Sequence, residues 1–400
     1  MSWEVVKLGS VCKVLPGFAF KSQLMGSSGI PVIKIKNIND NLGVDTLDCQ
    51  CIDEAYVPEK LAKFFVSKGD ILLAMTGATA GKFGRVHDNG RYLLNQRVAK
   101  IIPFDADADY IWSCLSDSKY RDLLFNIGQG AAQPNISGGQ IEALDIPLPP
   151  KPVQKKISSI ISAYNDLIDN NRKRIALLEK AARLLYEEWF VRLRFPGHEH
   201  TPVVDGVPVG WEKDDIRSCS SYISRGISPS YDEEAPGLVI NQKCIRNNQV
   251  DLTPARNQKK PFKDDKQVLK GDVLINSTGA GTLGRVAQLW KDLPNCTVDS
   301  HVTIVRPKAE SGICWLGYQL SVLEPLLENM GEGSTNQKEL GRDRIASLRV
   351  LVPSSSIQHA FDQVVAPVKE QMNVLSAQNQ KLQQARDLLL PRLMSGELAV

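Results

Sequence analysis

The sequence predicts an α+β (mixed α/β) fold: two globular domains separated by two long helices that pair as an antiparallel coiled coil, forming a pseudo-two-fold tandem repeat. Three observations carry this. Steps of four and three residues from Ile157 reach Ile161, Tyr164, Ile168, Asn171, Ile175, Leu178, Ala182, Leu185 and Trp189, the seam of a heptad helix. The seam recurs 204 residues later at Phe361, Val365, Val368, Met372, Leu375, Asn379, Leu382, Arg386, Leu389 and Leu393. The segments before the two seams also repeat, KGDILLAMTGATAGKFGRV (68–86) being answered by KGDVLINSTGAGTLGRV (270–286).

No Gly or Pro interrupts residues 157–194. At about 1.5 Å per residue they can form one rod of roughly 50 Å. Antiparallel pairing in which partner numbers sum to 550 matches every layer, placing Ile157 against Leu393, Trp189 against Phe361 and Asn171 against Asn379. A buried Asn pair is a known way to fix such a register. In the second rod Arg386 interrupts the seam. Pro367 and Pro391 lie near its ends, so its straight part is expected to begin near Pro367.

Four hundred residues, 42% apolar and 23% charged, describe a globular chain with room for several cores. No apolar run is long enough to span a bilayer, and the opening MSWEVVKLGS lacks the layout of a secretory signal, so a cytoplasmic location is expected. The eight cysteines form no CxxC pair and no zinc spacing. They are read as buried thiols in a reducing compartment, with no metal and no cofactor implied. The net charge of +3 neither requires nor excludes nucleic acid.

In order, residues 1–150 form the first domain, with a helix expected around 111–125. Residues 151–194 form the central helix, 195–210 a Pro/Gly/Val-rich linker, 211–353 the second domain and 354–400 the C-terminal helix. Trp211 answers Trp3, 237–245 answers the strand at 31–38, and 299–307 answers 95–103.

TGATAGK (76–82) invites a phosphate-loop reading but lacks the G-x-x-x-x-G-K-S/T spacing, and the second copy has no Lys. Gly77, Gly81 and Gly84, like Gly279, Gly281 and Gly284, are instead turn residues, with the second turn (278–284) shorter than the first. No Ser/His/Asp or Cys/His arrangement is repeated. Asp70 and Asp272, each following a Gly, are turn residues rather than general acids.

What does repeat is an amide-rich, basic set suited to base edges and phosphates. In the first half it comprises Lys34, Lys36, Asn37, Thr76, Lys82, Arg85, Gln96, Arg97, Gln133 and Asn135. In the second it comprises Asn241, Gln242, Lys243, Thr278, Arg285, His301, Thr335, Asn336 and Lys338. Positions shared by both halves, read as Thr76 with Thr278 and Arg85 with Arg285, cannot distinguish two DNA sequences and should build the fold or touch phosphate. Base reading belongs where the halves differ, in 37–63 against 246–263, the latter holding Arg246, Asn247, Arg256, Lys259 and Lys260.

TGATAGKFG, NQRV, GQGAAQPNIS running into IPLPPKPVQKKI, ARLLYEEWFVR before FPGHE, VPVGW and RDLLLPRLMSGEL together resemble the specificity subunit of type I restriction-modification systems over essentially the whole chain. The resemblance implies two target recognition domains, each reading half of a split, asymmetric double-stranded DNA sequence, with the helix pair as the spacer. It also implies a non-catalytic adaptor holding two methyltransferase subunits and, through them, two restriction/translocase subunits. The alternatives are a protein-protein scaffold that does not bind DNA and, against the lack of any repeated nucleophile, a stand-alone hydrolase.

Overall fold

The computed structural model describes residues 3–39, 42–129, 134–333, 338–398 and 400. They divide into two compact units, 1–170 with 379–400, and 171–378. Each unit holds one globule and a stretch of both long helices.

The first globule is built on a four-stranded antiparallel sheet in the order Cys12–Pro16, Val98–Pro103, Ile71–Ala74, Phe83–Arg85. The apolar run Ile71–Ala74 is buried on both faces, as expected for an interior strand. A second sheet, in the order Met25–Gly26, Gln50–Ile52, Ile30–Ile33, Tyr92–Leu94, Phe65–Val66, packs over Leu72, Ala74 and Val98 of the first. The helix expected around 111–125 is two helices, Ala108–Ser116 and Ser118–Gln129. They part at Asp117, an extended residue whose carboxylate accepts from the Lys119 amide.

The second globule repeats this plan with Ser220–Arg225, Val302–Pro307, Val273–Asn276, Val286–Gln288 in one sheet. Arg256–Gln258, Gly237–Ile240 and Cys296–Val298 form the other. The hydrogen bonds supply an alignment that letters alone misplace. Gly81 N bonds Ala74 O and Gly284 N bonds Asn276 O, while Ala74 N meets Lys82 O and Asn276 N meets Arg285 O. Lys82 therefore answers Arg285. The pairing of Arg85 with Arg285 is wrong: Arg85 Nε donates to Gly69 O, and in the second copy Gln288 Nε2 makes that bond, to Gly271 O. By the same alignment the second turn holds one residue more than the first, not fewer.

Gly81 and Gly284 both have positive φ, 88° and 80°, and a Cβ on either would strike the backbone of the neighbouring helix, at Leu124 or Glu328. This close approach explains the glycine at both sites. Asp70 and Asp272 are turn residues, each accepting the amide three positions back.

The central helix runs Lys151–Tyr186 and continues as a π turn, Glu187–Val191. The C-terminal helix runs Ser355–Met394 without a break at Pro367 or Pro391, so it begins a full three turns before Pro367 rather than at it. In the first unit Ile157, Ile161, Leu390, Leu393 and Met394 join the core of the globule. There Asn379 Nδ2 donates to Ile168 O (3.3 Å) and Arg386 Nη1 to Asn165 Oδ1 (2.8 Å). In the second unit Trp189 meets Phe361 (ring centroids 5.7 Å) and Lys369 pairs with Glu179 at 2.6 Å. In both units one number rises as its partner falls, so the stretches are antiparallel, and the Trp189–Phe361 layer is the one the seam predicts.

The seam shifts phase at its end. Tyr186 and Phe190 are buried while Leu185 and Trp189 are only half-buried. The π turn, closed by Arg192 N to Glu187 O, accompanies this shift of the buried face by one residue. Asn171 is buried, as are Ile168, Val365 and Met372, whereas Leu178, Leu382 and Leu389 are half-buried.

Candidate nucleic-acid interface

In the first globule the strand Ile71–Ala74 delivers the chain to the Gly77–Thr79 turn, and hydrogen bonds gather several candidates around it. Met75 N bonds Arg97 O, Gly77 N bonds Pro134 O, and Thr76 bridges Asn135. The Ile35–Asn37 turn lies alongside, since a Cβ at Gly77 would sit 3.6 Å from the Ile35 side chain. Lys36, Gln96, Arg97 and Asn135 are exposed, and Lys34, Thr76 and Lys82 half-buried.

Two candidates of this half are structural instead. Asn37 is 2% exposed; its Oδ1 accepts from Lys34 N and its Nδ2 donates to Asp45 O and Asp48 O, so neither end can meet a base. Arg85 is a half-buried strut, bonded to Gly69 O and paired with Asp109 at 2.5 Å. Lys36 pairs with Asp48 at 2.7 Å, and that hydrogen bond holds its pKa above the usual lysine value.

In the second globule Ser277 N bonds His301 O and Thr278 Oγ1 lies 2.8 Å from His301 Nδ1. Asn276 Nδ2 donates to Gln242 O, bringing the half-buried Gln242 to the same turn. Thr278 also bridges Glu339, beside the exposed Lys338. Asn241 is committed to local structure, with Nδ2 on Pro254 O (2.7 Å) and Oδ1 accepting from Lys243 N. Arg285 is half-buried, with Nη2 on Gly281 O.

The divergent loop supplies the rest. Arg246 pairs with Gln249 across a two-residue turn, Asn247–Asn248, with φ of 53° and 56°. Asn tolerates that conformation, which is the first reason for its presence there. Arg246, Asn247, Arg256, Lys259 and Lys260 are exposed, as is Lys243. Lys260 Nζ donates to Ser228 O and Lys259 pairs with Asp232 at 3.4 Å. Gln133, Thr335 and Asn336 lie outside the described residues.

Sequence reasoning missed Arg225, whose guanidinium meets Glu339 and Leu340 O beside the turn, and Tyr231, whose ring lies under Arg256 at 3.7 Å. Neither has a counterpart in the first half's motifs, so comparing copies could not expose them. Among the described residues no group of His, Cys, Asp or Glu is suited to hold a metal ion, and no helix is long and apolar enough to cross a membrane. Seven of the eight free cysteines are buried and Cys49 is half-buried. Desolvation pushes Cys49 up to about 11 and Cys244 to about 11, the opposite of what a nucleophilic thiolate needs.

Two globules of one plan share a framework and differ in exposed amide and basic side chains, a division suited to a sequence-recognition protein. Comparison with known proteins points the same way. Residues 1–180 match the family model for the type I restriction modification DNA specificity domain. The chain is 24% identical to the putative type I restriction enzyme MjaX specificity subunit of Methanocaldococcus jannaschii, over all of this chain and 94% of that one. It is 22% identical to the type I restriction enzyme HindI specificity subunit of Haemophilus influenzae, over 99% of each. The S subunit of a type I restriction-modification system from M. genitalium matches in fold with a TM-score of 0.62 at 16% identity, covering 98% of this chain and 96% of that one. Over nearly its whole length the chain is thus similar to type I restriction enzyme specificity subunits.

Proposed function

We propose that this chain is a non-catalytic specificity subunit of a type I restriction-modification system that reads a bipartite, asymmetric target in double-stranded DNA, one half-site per globule, with the paired helices setting the spacer. In this reading the domains are 1–150 and 211–353, joined through 151–194, 195–210 and 354–400. The observation that carries it is the contrast between the copies: matched hydrogen bonds hold the framework at Gly81/Gly284 and Asp70/Asp272, while the exposed side chains of 246–263 have no match in the first copy. Phosphate contacts position such a protein and base contacts specify its site.

The same reading makes the chain a cytoplasmic scaffold for two methyltransferase subunits and, through them, two restriction/translocase subunits. Leu167, Leu177 and Leu184 support it, being 51%, 67% and 47% exposed on the central helix, where a helix with no further partner would carry polar residues.

Methylome sequencing of a host carrying the complete system tests the proposal, the expected result being a methylated motif of two half-sites with a fixed gap. Binding of the assembled complex to duplex DNA should fall steeply with salt. Substituting Lys259 and Lys260 should alter the second half-site alone, each lost base contact costing about 1–3 kcal/mol. Equal weakening on all sequences would show phosphate contact instead. A continuous motif contradicts the bipartite reading, and a complex without salt-sensitive binding to duplex DNA favours the protein-protein scaffold.

A further inference from the structure

We propose that Arg256 reads a guanine in the second half-site, held for that task by Tyr231; this rests on the function proposed above and names one letter of the target. Arg256 is exposed on an edge strand, and its guanidinium carbon sits 3.7 Å from the centroid of the Tyr231 ring, itself 40% exposed. Tyr231 is fixed from below, bridging Gln258 two residues beyond Arg256. Stacking on a ring restrains a guanidinium in a plane while leaving its N–H edge open.

That edge is open here. Among the described residues the Arg256 guanidinium has no hydrogen-bond acceptor and no carboxylate partner. Other arginines of this globule are committed, Arg225 to Glu339 and Leu340 O, Arg285 to Gly281 O, and Arg306 to Asp272 and Gln267 O, while the exposed Arg246 has no ring to hold its guanidinium among the described residues. A planar fork of free donors fits a base edge presenting two acceptors side by side. In the major groove guanine alone does so, through O6 and N7.

The first copy shows that the position is variable where the framework is not. Arg256 pairs with Val239 as Gln50 pairs with Val32, and Tyr231 bridges Gln258 as Met25 pairs with Ile52. Gln50 and Met25 thus replace Arg256 and Tyr231. With no ring beneath it, Gln50 is held by Lys34 Nζ at 2.5 Å. An amide in place of a guanidinium at one strand position is the kind of exchange that lets two domains of one plan read different letters.

The test uses the complete system. The methylome of a host carrying it should show a guanine at a fixed position of one half-site. With Arg256→Gln that position should become adenine or degenerate while the other half-site is unchanged. Arg256→Lys should lose discrimination at the same position, and Tyr231→Leu should keep the letters but lower occupancy. A second arm needs no variant: 7-deazaguanine placed in turn at each guanine of that half-site removes the N7 acceptor. At one position it should weaken binding of the assembled complex about 10-fold, and guanine-to-adenine exchange there by about 10- to 100-fold.

The inference is overturned if no deazaguanine position matters, if the half-site holds no guanine, or if Arg256→Gln and Arg256→Lys weaken all sequences alike, as a phosphate contact would. A motif with no second half-site would instead remove the function proposed above, so the two failures are distinguishable.

Discussion

The two globules satisfy the same backbone with different side chains. The turn aspartate Asp70 pairs with Lys100 at 2.6 Å, whereas its counterpart Asp272 is gripped by the Arg306 fork through two 2.8 Å bonds. The carbonyl of Gly69 is met by Arg85, and that of Gly271 by Gln288. The helix Ala108–Ser116 is capped by its own Asp107. The matching helix Ile313–Val322 has Gly312 there and borrows Asp362 from the C-terminal helix, which accepts from the Ile313 and Cys314 amides. What stays fixed is which backbone group must be satisfied, and what varies is who satisfies it.

Removing a part with no substitute should break this comparison most sharply. Phe361 is fully buried and touches the rings of Tyr186, Trp189, Phe190 and Tyr318, so Phe361→Ala should cost about 3–5 kcal/mol, read by urea unfolding of the full chain. Leu393→Ala, at the aliphatic seam of the other unit, should cost about 2–5 kcal/mol.

Asp272→Ala comes next. It strands a largely buried guanidinium, with Gln267 O its remaining acceptor, at about 3–5 kcal/mol. Asp70→Ala should cost roughly 1–3 kcal/mol, because Asp70 is 20% exposed where Asp272 is 1%, so water can take the place of the lost carboxylate while Lys100 keeps Phe65 O. Equal costs would mean that the fork adds nothing over the point charge.

A third prediction uses pH. Asn95 and Asp299 occupy one position, each accepting the amide two residues on, from Arg97 and His301. Burial raises the Asp299 pKa above the usual carboxylate value, against the pull of the His301 amide and ring. The folded chain therefore holds this proton more tightly than the unfolded one. The stability this contributes is complete below about pH 4 and is lost as pH rises through the folded value. Asp299→Asn, which copies the first globule, should raise the melting temperature at pH 7 and lose that advantage near pH 4. A shift independent of pH would mean that charge is not the cause.

The repeat, the antiparallel rods and the Trp189–Phe361 layer were legible because they depend on apolar periodicity and a constant offset, both local properties of the letters. The Arg85–Arg285 pairing was misread because GRV occurs in both copies, at 84–86 and 284–286, but three residues out of step with the strand ladder. Only hydrogen bonds such as Gly69 N to Val86 O and Gly271 N to Leu289 O reveal the step. Asn37 was misread for a related reason: amides that read bases and amides that close turns are the same residue type, and burial separates them. Gln154 and Gln358 escaped notice although they lie 204 apart. Both are buried, reaching back to Pro149 O or Pro353 O and accepting from Asp107 N or Gly312 N, so each ties a rod to its globule.

The smallest effect is expected where the seam looks most damaged. Arg386 stands at a seam position, yet its Nη1 donates to Asn165 Oδ1 at 2.8 Å, and its Nε and Nη2 reach Asp387 at the surface, the arginine side chain being 15% exposed and that of Asp387 56%. The aliphatic stem can cover the seam while the head stays near water. Arg386→Leu keeps the stem's apolar cover and gives up the surface pair with Asp387, which is worth little, together with one hydrogen bond whose acceptor on the half-buried Asn165 water can satisfy. The net change in unfolding free energy should therefore be within about 1 kcal/mol of zero. Arg386→Ala should cost more, since it also removes the stem. If Arg386→Leu were the more damaging of the two, the head group rather than the stem would be holding the rods together, and the heptad reading of that layer would have to be given up.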